Sequence, residues 1–140
     1  MNFNKMIFIS VWLSLLFFVE CNDNIVGTLP DGTYNYTAYD SLGTIVAKGT
    51  LIFKFKDSTS VTGEWEIKKV GNPQNIGPQI GEGELIGGLT NEILWMELNP
   101  DFRDNNVFLQ GKPEINKYTG KWFYSSFIGL TNRGSFEAVK

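Results

Sequence analysis

The stretch Thr44–Ile67, TIVAKGTLIFKFKDSTSVTGEWEI, decides the fold class of this chain. Apolar and polar residues alternate on both sides of the turn sequence Asp57-Ser58-Thr59. Because successive side chains of a strand point to opposite faces, the alternation predicts two antiparallel strands, 44–56 and 60–70, with one apolar face. The apolar face consists of Ile45, Ala47, Gly49, Leu51, Phe53, Phe55, Val61, Gly63, Trp65 and Ile67.

A glycine stands two residues before a bulky apolar residue at repeated places along the chain. The pairs are Gly32/Tyr34, Gly49/Leu51, Gly63/Trp65, Gly83/Leu85, Gly120/Trp122 and Gly134/Phe136. This spacing puts both residues on the same face of a strand. Glycine lets a strand bend and lets backbones approach, and the large residue then fills the enclosed space. The repeat therefore favours strands that curl into a small closed barrel.

Period-two alternation continues through the rest of the chain, and helical periodicity does not occur. The predicted strands are 33–40, 44–56, 60–70, 81–87, 92–98, 106–112, 118–127 and 133–139. Most connections are short, so neighbours in sequence are expected to be antiparallel neighbours in space. The sequence predicts an all-β fold, an eight-stranded antiparallel up-and-down β-barrel over residues 31–140, preceded by a signal peptide. A two-sheet sandwich is the alternative.

Three details of this prediction are open to direct comparison with a structure. In strand 92–98 either Leu94, Met96 and Leu98 or the alternating set with Trp95 faces inward, and the first set is more uniformly apolar. The identical sequences Gly88–Asn91 and Gly129–Asn132 are predicted to be turns between strands. The outward carboxylates are predicted to lie opposite lysines; they are Glu64, Glu66, Glu82 and Glu84.

The N-terminal residues are predicted to lie outside the barrel. Met6–Val19 is an apolar run after the basic Lys5, which is typical of a secretory signal peptide over residues 1–20. Cys21, the single cysteine of the chain, follows directly. With no second cysteine, an internal disulfide is excluded, and stability must come from an apolar core.

The sequence Phe18-Val19-Glu20-Cys21 resembles the lipobox of bacterial lipoproteins, with Glu20 where a small residue is usual. The resemblance implies that Cys21 is acylated after the leader is cut, and that residues 21–30 form a lipidated tether. It also implies an exported protein of the bacterial cell envelope, which contacts the membrane only through its N-terminal lipid.

The barrel sequence resembles the calycin group, which includes lipocalins and avidins. The resemblance rests on Gly32-Thr33-Tyr34 in the first strand and on Thr-Gly-x-Trp at Thr62–Trp65 and Thr119–Trp122. It implies a small calycin-like, avidin- or lipocalin-type barrel. The ligand-site residues of those families have no counterpart here, so the resemblance implies no ligand.

Composition argues against several classes of function. The chain has no histidine, the commonest general base and zinc ligand, and its formal charge is −3. We therefore expect no enzyme activity, no cofactor and no metal site, and the absence of a basic run argues against nucleic-acid binding.

Aromatic residues on the predicted inner face are the candidate binding residues. They are Tyr34, Tyr36, Trp65, Trp122 and Tyr124. Rings with polar tips at an open barrel end would orient a small, partly apolar ligand, which makes a ligand-binding module the leading hypothesis. The alternative is a filled barrel that serves as a protein-interaction or envelope-assembly component, with contacts through loops 71–79 and 99–105.

Overall fold

The computed structural model describes residues 29–140, which form eight β-strands. The strands are β1 (Gly32–Tyr39), β2 (Ile45–Phe55), β3 (Ser60–Lys69), β4 (Gly81–Thr90), β5 (Ile93–Glu97), β6 (Asn105–Glu114), β7 (Lys117–Ser126) and β8 (Gly129–Val139). Among these residues no helix is long and apolar enough to cross a membrane.

Each strand pairs with the next one in sequence, and β8 pairs with β1 to close the sheet. Every pair is antiparallel. The eight-stranded antiparallel up-and-down β-barrel predicted from the sequence is therefore confirmed, and the two-sheet sandwich is excluded. Within the described residues 29–140 the closed sheet surrounds a core of its own, as a domain that can fold by itself does.

Alternating strand directions place the connections at two ends of the barrel. The proximal end carries the turns 56–59, 91–92 and 115–116 together with Leu29 and Lys140, where the described chain begins and ends. The distal end carries the connections 40–44, 70–80, 98–104 and 127–128.

Glycines allow the close approach of strands that the sequence predicted. A Cβ at Gly49 would collide with the carbonyl oxygen of Glu66, and one at Gly63 would collide with that of Ile52. Both glycines lie on the curved wall formed by β2 and β3. Small residues at these positions are therefore required for the tight curvature of a barrel of this size.

The inward faces agree with the predicted alternation. Leu94, Met96 and Leu98 are buried, whereas Trp95 is 39% exposed, which confirms the more apolar set as the inner face of β5. Each of the other seven strands also contributes to the core, which includes Tyr34, Tyr36, Leu51, Phe53, Trp65, Ile67, Leu85, Leu109, Tyr118, Trp122 and Phe136.

Two predicted turns are wrong. Gly88, Leu89 and Thr90 belong to β4, and the turn to β5 falls on Asn91 and Glu92. These two turn residues have φ of 50° and 64°, as required by the tight two-residue turn of an antiparallel hairpin. The second copy of the sequence, Gly129–Asn132, lies wholly within β8.

The predicted signal peptide, residues 1–20, and Cys21 lie outside the described residues. Only the end of the predicted tether falls inside them. Leu29 is buried in the core, and the Tyr34 hydroxyl donates a hydrogen bond of 2.6 Å to the Pro30 carbonyl. These contacts hold the first described residues against the proximal end of the barrel.

Candidate functional site

The five aromatic candidates all lie on the inner face of the barrel, as predicted. Tyr34, Tyr36, Trp65 and Trp122 are at most 5% exposed, and Tyr124 is partly buried near the distal end. The five residues share one interior, but burial removes the first four of them from contact with solvent. Whether they bind a ligand therefore depends on how much of that interior their own rings occupy.

Aromatic rings run through the interior in direct contact. Tyr34 packs on Phe53 with ring centroids 4.9 Å apart, and Tyr118 packs on Phe136 at 4.7 Å. Longer contacts join these pairs to each other and to Tyr36, at 6.3 and 5.9 Å. The rings lie at the separations of favourable aromatic pairs, so they form a packed core along the barrel axis.

The polar atoms of these rings are hydrogen-bonded within the protein. The Trp122 indole N–H donates to the Tyr39 carbonyl at 2.8 Å, and the Tyr118 hydroxyl donates to the Leu94 carbonyl at 2.9 Å. Among residues 29–140, every buried side-chain nitrogen or oxygen has a hydrogen-bond partner. A ligand that used these groups would first have to break bonds that already satisfy them.

Trp65 fills a gap in the barrel wall. The pairing of β4 with β5 begins at Ile86, opposite Glu97, so the preceding residues of β4 have no partner in β5. The Trp65 indole N–H donates to the carbonyl of Leu98 at 2.6 Å and to that of Glu84 at 3.2 Å. Trp65 thus links two segments that the strand ladder does not join.

Burial raises the pKa of three interior tyrosines. Desolvation, with a smaller contribution from the negative charge of Asp31, raises the pKa of Tyr34 to about 12. Desolvation also raises the pKa of Tyr36 and Tyr118 well above the usual value. These hydroxyls therefore remain protonated near neutral pH and act as hydrogen-bond donors rather than as bases.

The loop 70–80 closes the distal end. Its Ile76 is buried, and its Gln79 is fully buried with the amide oxygen accepting a 3.0 Å hydrogen bond from the Tyr36 hydroxyl. The Gln79 amide nitrogen donates to the Ile76 carbonyl at 2.7 Å. Gly77, with φ of 71°, approaches the Tyr124 ring so closely that a side chain would collide with it. We call Ile76–Gln79 the plug.

An apolar groove of about 560 Å³ runs along the outer wall of β5, β6, β7 and β8. Its apolar lining is Trp95, Phe108, Phe123 and Leu130, and its polar lining includes Glu97, Gln110 and Ser125. Phe108 and Phe123 are cross-strand neighbours on the outer face of the sheet. We call this feature the wall groove; the sequence analysis placed Trp95 outside but did not consider its neighbours.

The outward carboxylates of β3 and β4 do not lie opposite lysines, and this prediction is wrong. Glu64 pairs with Glu84 and Glu66 with Glu82 across the two strands. The one ion pair formed by this group joins Glu66 to Lys68 on the same strand at 3.1 Å, between exposed side chains. No cluster of metal-ligating side chains occurs in the part of the chain that the structure describes.

Large apolar side chains are also exposed on connections at the distal end. Leu42, Phe127 and Ile128 are each at least 85% exposed, and Phe102 is 63% exposed. We call these four residues the distal tips.

Comparisons of the chain with protein-family models, with curated proteins and with solved structures find no match.

Proposed function

We propose that this protein is an exported, lipid-anchored and non-catalytic calycin-like barrel that binds a partner protein through its outer surface. One observation carries the proposal. The protein's own aromatic rings fill the interior, and every buried polar side-chain atom of the described residues already has a hydrogen-bond partner within the protein. Of the two functions predicted from the sequence, the filled interaction barrel is therefore the better supported.

A ligand in the barrel mouth would have to compete with the plug. It would displace Ile76 from the core and replace Gln79 as the acceptor for the Tyr36 hydroxyl. Both changes cost free energy, because Ile76 would lose its packing in the core and the Tyr36 hydroxyl would lose its hydrogen bond. The ligand hypothesis for Tyr34, Tyr36, Trp65, Trp122 and Tyr124 thus requires a rearrangement that the partner hypothesis does not.

The wall groove has the composition of a protein interface. Its centre is apolar and aromatic, and Glu97, Gln110 and Ser125 stand among its lining. Protein interfaces are enriched in aromatic side chains at the centre and surrounded by polar groups. An apolar side chain of a partner would be desolvated between Trp95, Phe108 and Phe123 without any change in the barrel.

Photo-crosslinking in cells tests the wall groove. A benzoylphenylalanine placed at Phe123 is expected to give one protein adduct of defined mass, and Leu130→Ser is expected to reduce its yield. In the matched control, benzoylphenylalanine replaces Lys48, which is exposed on the outer face of β2. Equal adducts from both positions, or none from Phe123, would contradict the proposal.

Tryptophan fluorescence separates this function from the ligand hypothesis. In a Trp95→Phe variant of residues 22–140, the remaining emission comes from the interior Trp65 and Trp122. We expect no spectral shift when small-molecule extracts of the cell envelope are added. A saturable shift would show that the interior accepts a ligand and would favour the ligand-binding module instead.

A further inference from the structure

Exposed apolar side chains are concentrated at one end of the barrel. Three of the four distal connections carry tips: Leu42 in 40–44, Phe102 in 98–104, and Phe127 and Ile128 in 127–128. At the proximal turns the only large apolar side chain with comparable exposure among the described residues is Ile115, at 71%. Single exposed apolar side chains are common on protein surfaces, so it is their concentration at one end that indicates a contact with another apolar phase or molecule.

The shape of this surface differs from that of the wall groove. The tips stand on three separate turns, and the two at the β7–β8 turn are almost wholly exposed. A rigid protein partner would need a matching hollow for each turn, whereas lipid headgroups and acyl chains rearrange around whatever protrudes. Separate protruding apolar tips therefore fit a bilayer surface better than they fit a folded partner.

The charges at the distal end indicate which kind of bilayer would fit. The four distal connections contain Asp40, Asp101, Asp104 and the single cation Arg103. This excess of acidic groups gives no attraction to anionic lipids, which bind clusters of lysine and arginine. An electrically neutral, zwitterionic surface is the one that the apolar tips can approach without an electrostatic penalty.

The length of the tether allows both attachments on one membrane. Cys21 stands eight residues before Leu29, which is held in the core, a maximum reach of about 29 Å for a fully extended chain. The longest strands have 11 residues, which at a tilt of about 40° gives a barrel height of about 28 Å. A lipid at Cys21 could therefore share a bilayer with the distal tips only when the tether is fully extended along the wall.

We propose that the distal tips insert into a zwitterionic bilayer and give this protein a second membrane contact besides its N-terminal lipid. The orientation rests on the proposed lipid anchor, and the insertion itself rests on the exposed tips. In this orientation the wall groove faces sideways and remains open to a partner. The lipid at Cys21 would hold the barrel close to the membrane and so raise the effective concentration of the weaker contact made by the distal tips.

The test uses residues 22–140 with a hexahistidine tag before residue 22, held on phosphatidylcholine vesicles by a nickel-chelating lipid. This range contains no cysteine, so Ile128→Cys provides the only thiol for an environment-sensitive nitrobenzoxadiazole dye. The matched control is Ile115→Cys, which carries the same dye at the proximal end.

We expect the dye at position 128 to brighten, shift to shorter wavelength and be quenched by nitroxides on the acyl chains. The dye at position 115 is expected to keep its emission in water. Phe127→Ser should diminish the shift at position 128, and phosphatidylglycerol in the vesicles should not increase it.

Other outcomes overturn the proposal. Aqueous emission from both positions would show that the tips do not reach the bilayer. Insertion at position 115 alone would show that the barrel stands the other way up and would leave the tips free for a protein. Because the lipid at Cys21 and the wall groove play no part in this assay, its failure would leave the proposed function untouched.

Discussion

At the residue scale, the repeated glycine-x-aromatic spacing has a cross-strand cause. Trp65 lies opposite Gly83, and Trp122 lies opposite Gly134 in the strand register. A missing side chain on one strand therefore makes the space that a large indole on its neighbour occupies. The sequence shows the spacing within each strand, but the partner of each ring becomes evident only when the register is known.

The two indole–glycine pairs predict different costs for the same substitution. A Cβ at Gly134 would collide with the Tyr39 carbonyl and would lie 2.5 Å from the Trp122 indole nitrogen. At Gly83 the nearest atoms belong to the Trp65 ring, 3.0 Å away. We expect Gly134→Ala to lower the free energy of unfolding by about 3 kcal/mol and Gly83→Ala by about 1 kcal/mol. Urea denaturation of both variants measures the difference, and equal losses would contradict it.

The buried tyrosines predict a loss of stability at alkaline pH. Tyr34 has a pKa of about 12 in the folded protein, against about 10 in an unfolded chain. Below pH 10 the hydroxyl is protonated in both states. Above pH 10 the unfolded state releases a proton that the folded state keeps, so stability falls as pH rises through 12.

Tyr36 and Tyr118 shift in the same direction, because burial disfavours their charged forms. We therefore expect the free energy of unfolding, measured in urea, to decline between pH 10 and 12. Tyr36→Phe should make this decline shallower, whatever its effect at neutral pH. An unchanged slope in Tyr36→Phe would contradict the assignment.

At the element scale, the plug has no regular secondary structure and is held by a few specific contacts. The Tyr36–Gln79 hydrogen bond joins it to β1 within the buried interior. A double-mutant cycle with Tyr36→Phe and Gln79→Ala should give a coupling free energy of about 1 kcal/mol. The control cycle pairs Gln79→Ala with Tyr34→Phe, whose hydroxyl bonds Pro30 at the other end, and should be additive. Coupling of equal size in both cycles would argue against a specific bond.

Strand positions could be predicted because alternation is a local property. The inner face of β5 followed from comparing Leu94, Met96 and Leu98 with their neighbours. Strand ends were less predictable: Gly88 and Gly129 suggested turns, yet both lie within strands. Glycine marks a turn or a close packing position equally well, and only tertiary contacts decide between them.

The wall groove and the plug depend on contacts that the sequence does not show. Phe108 and Phe123 are neighbours on the outer wall because β6 and β7 pair in one particular register. The loop 71–79 was expected to offer contacts to a partner, yet its Ile76 and Gln79 side chains are buried in the barrel. The order of residues gives no sign of which loop folds back over an open end.

At the scale of the whole molecule, closure of the sheet separates core from surface. Each strand of the closed barrel has a neighbour on both sides, although the first residues of β4 have no partner in β5, so a partner would bind mainly side chains on the wall or at the ends. The wall groove and the distal tips are two such surfaces, and they face in different directions. The proposed partner and the proposed bilayer contact would therefore not compete for the same surface.

The proposed anchor predicts how the molecule is held in the envelope. Cys21→Ser should remove the mass of the acyl chains from the protein and release it from washed membranes, since contact through the distal tips alone is weak and reversible. Phe127→Ser combined with Ile128→Ser is the contrasting variant and should keep both the acyl mass and the membrane association. Mass spectrometry and membrane fractionation of the two variants read these outcomes directly. If Cys21→Ser stays on the membrane while the wild type carries no acyl mass, the leader itself is the anchor, and the barrel then projects from an uncleaved apolar segment.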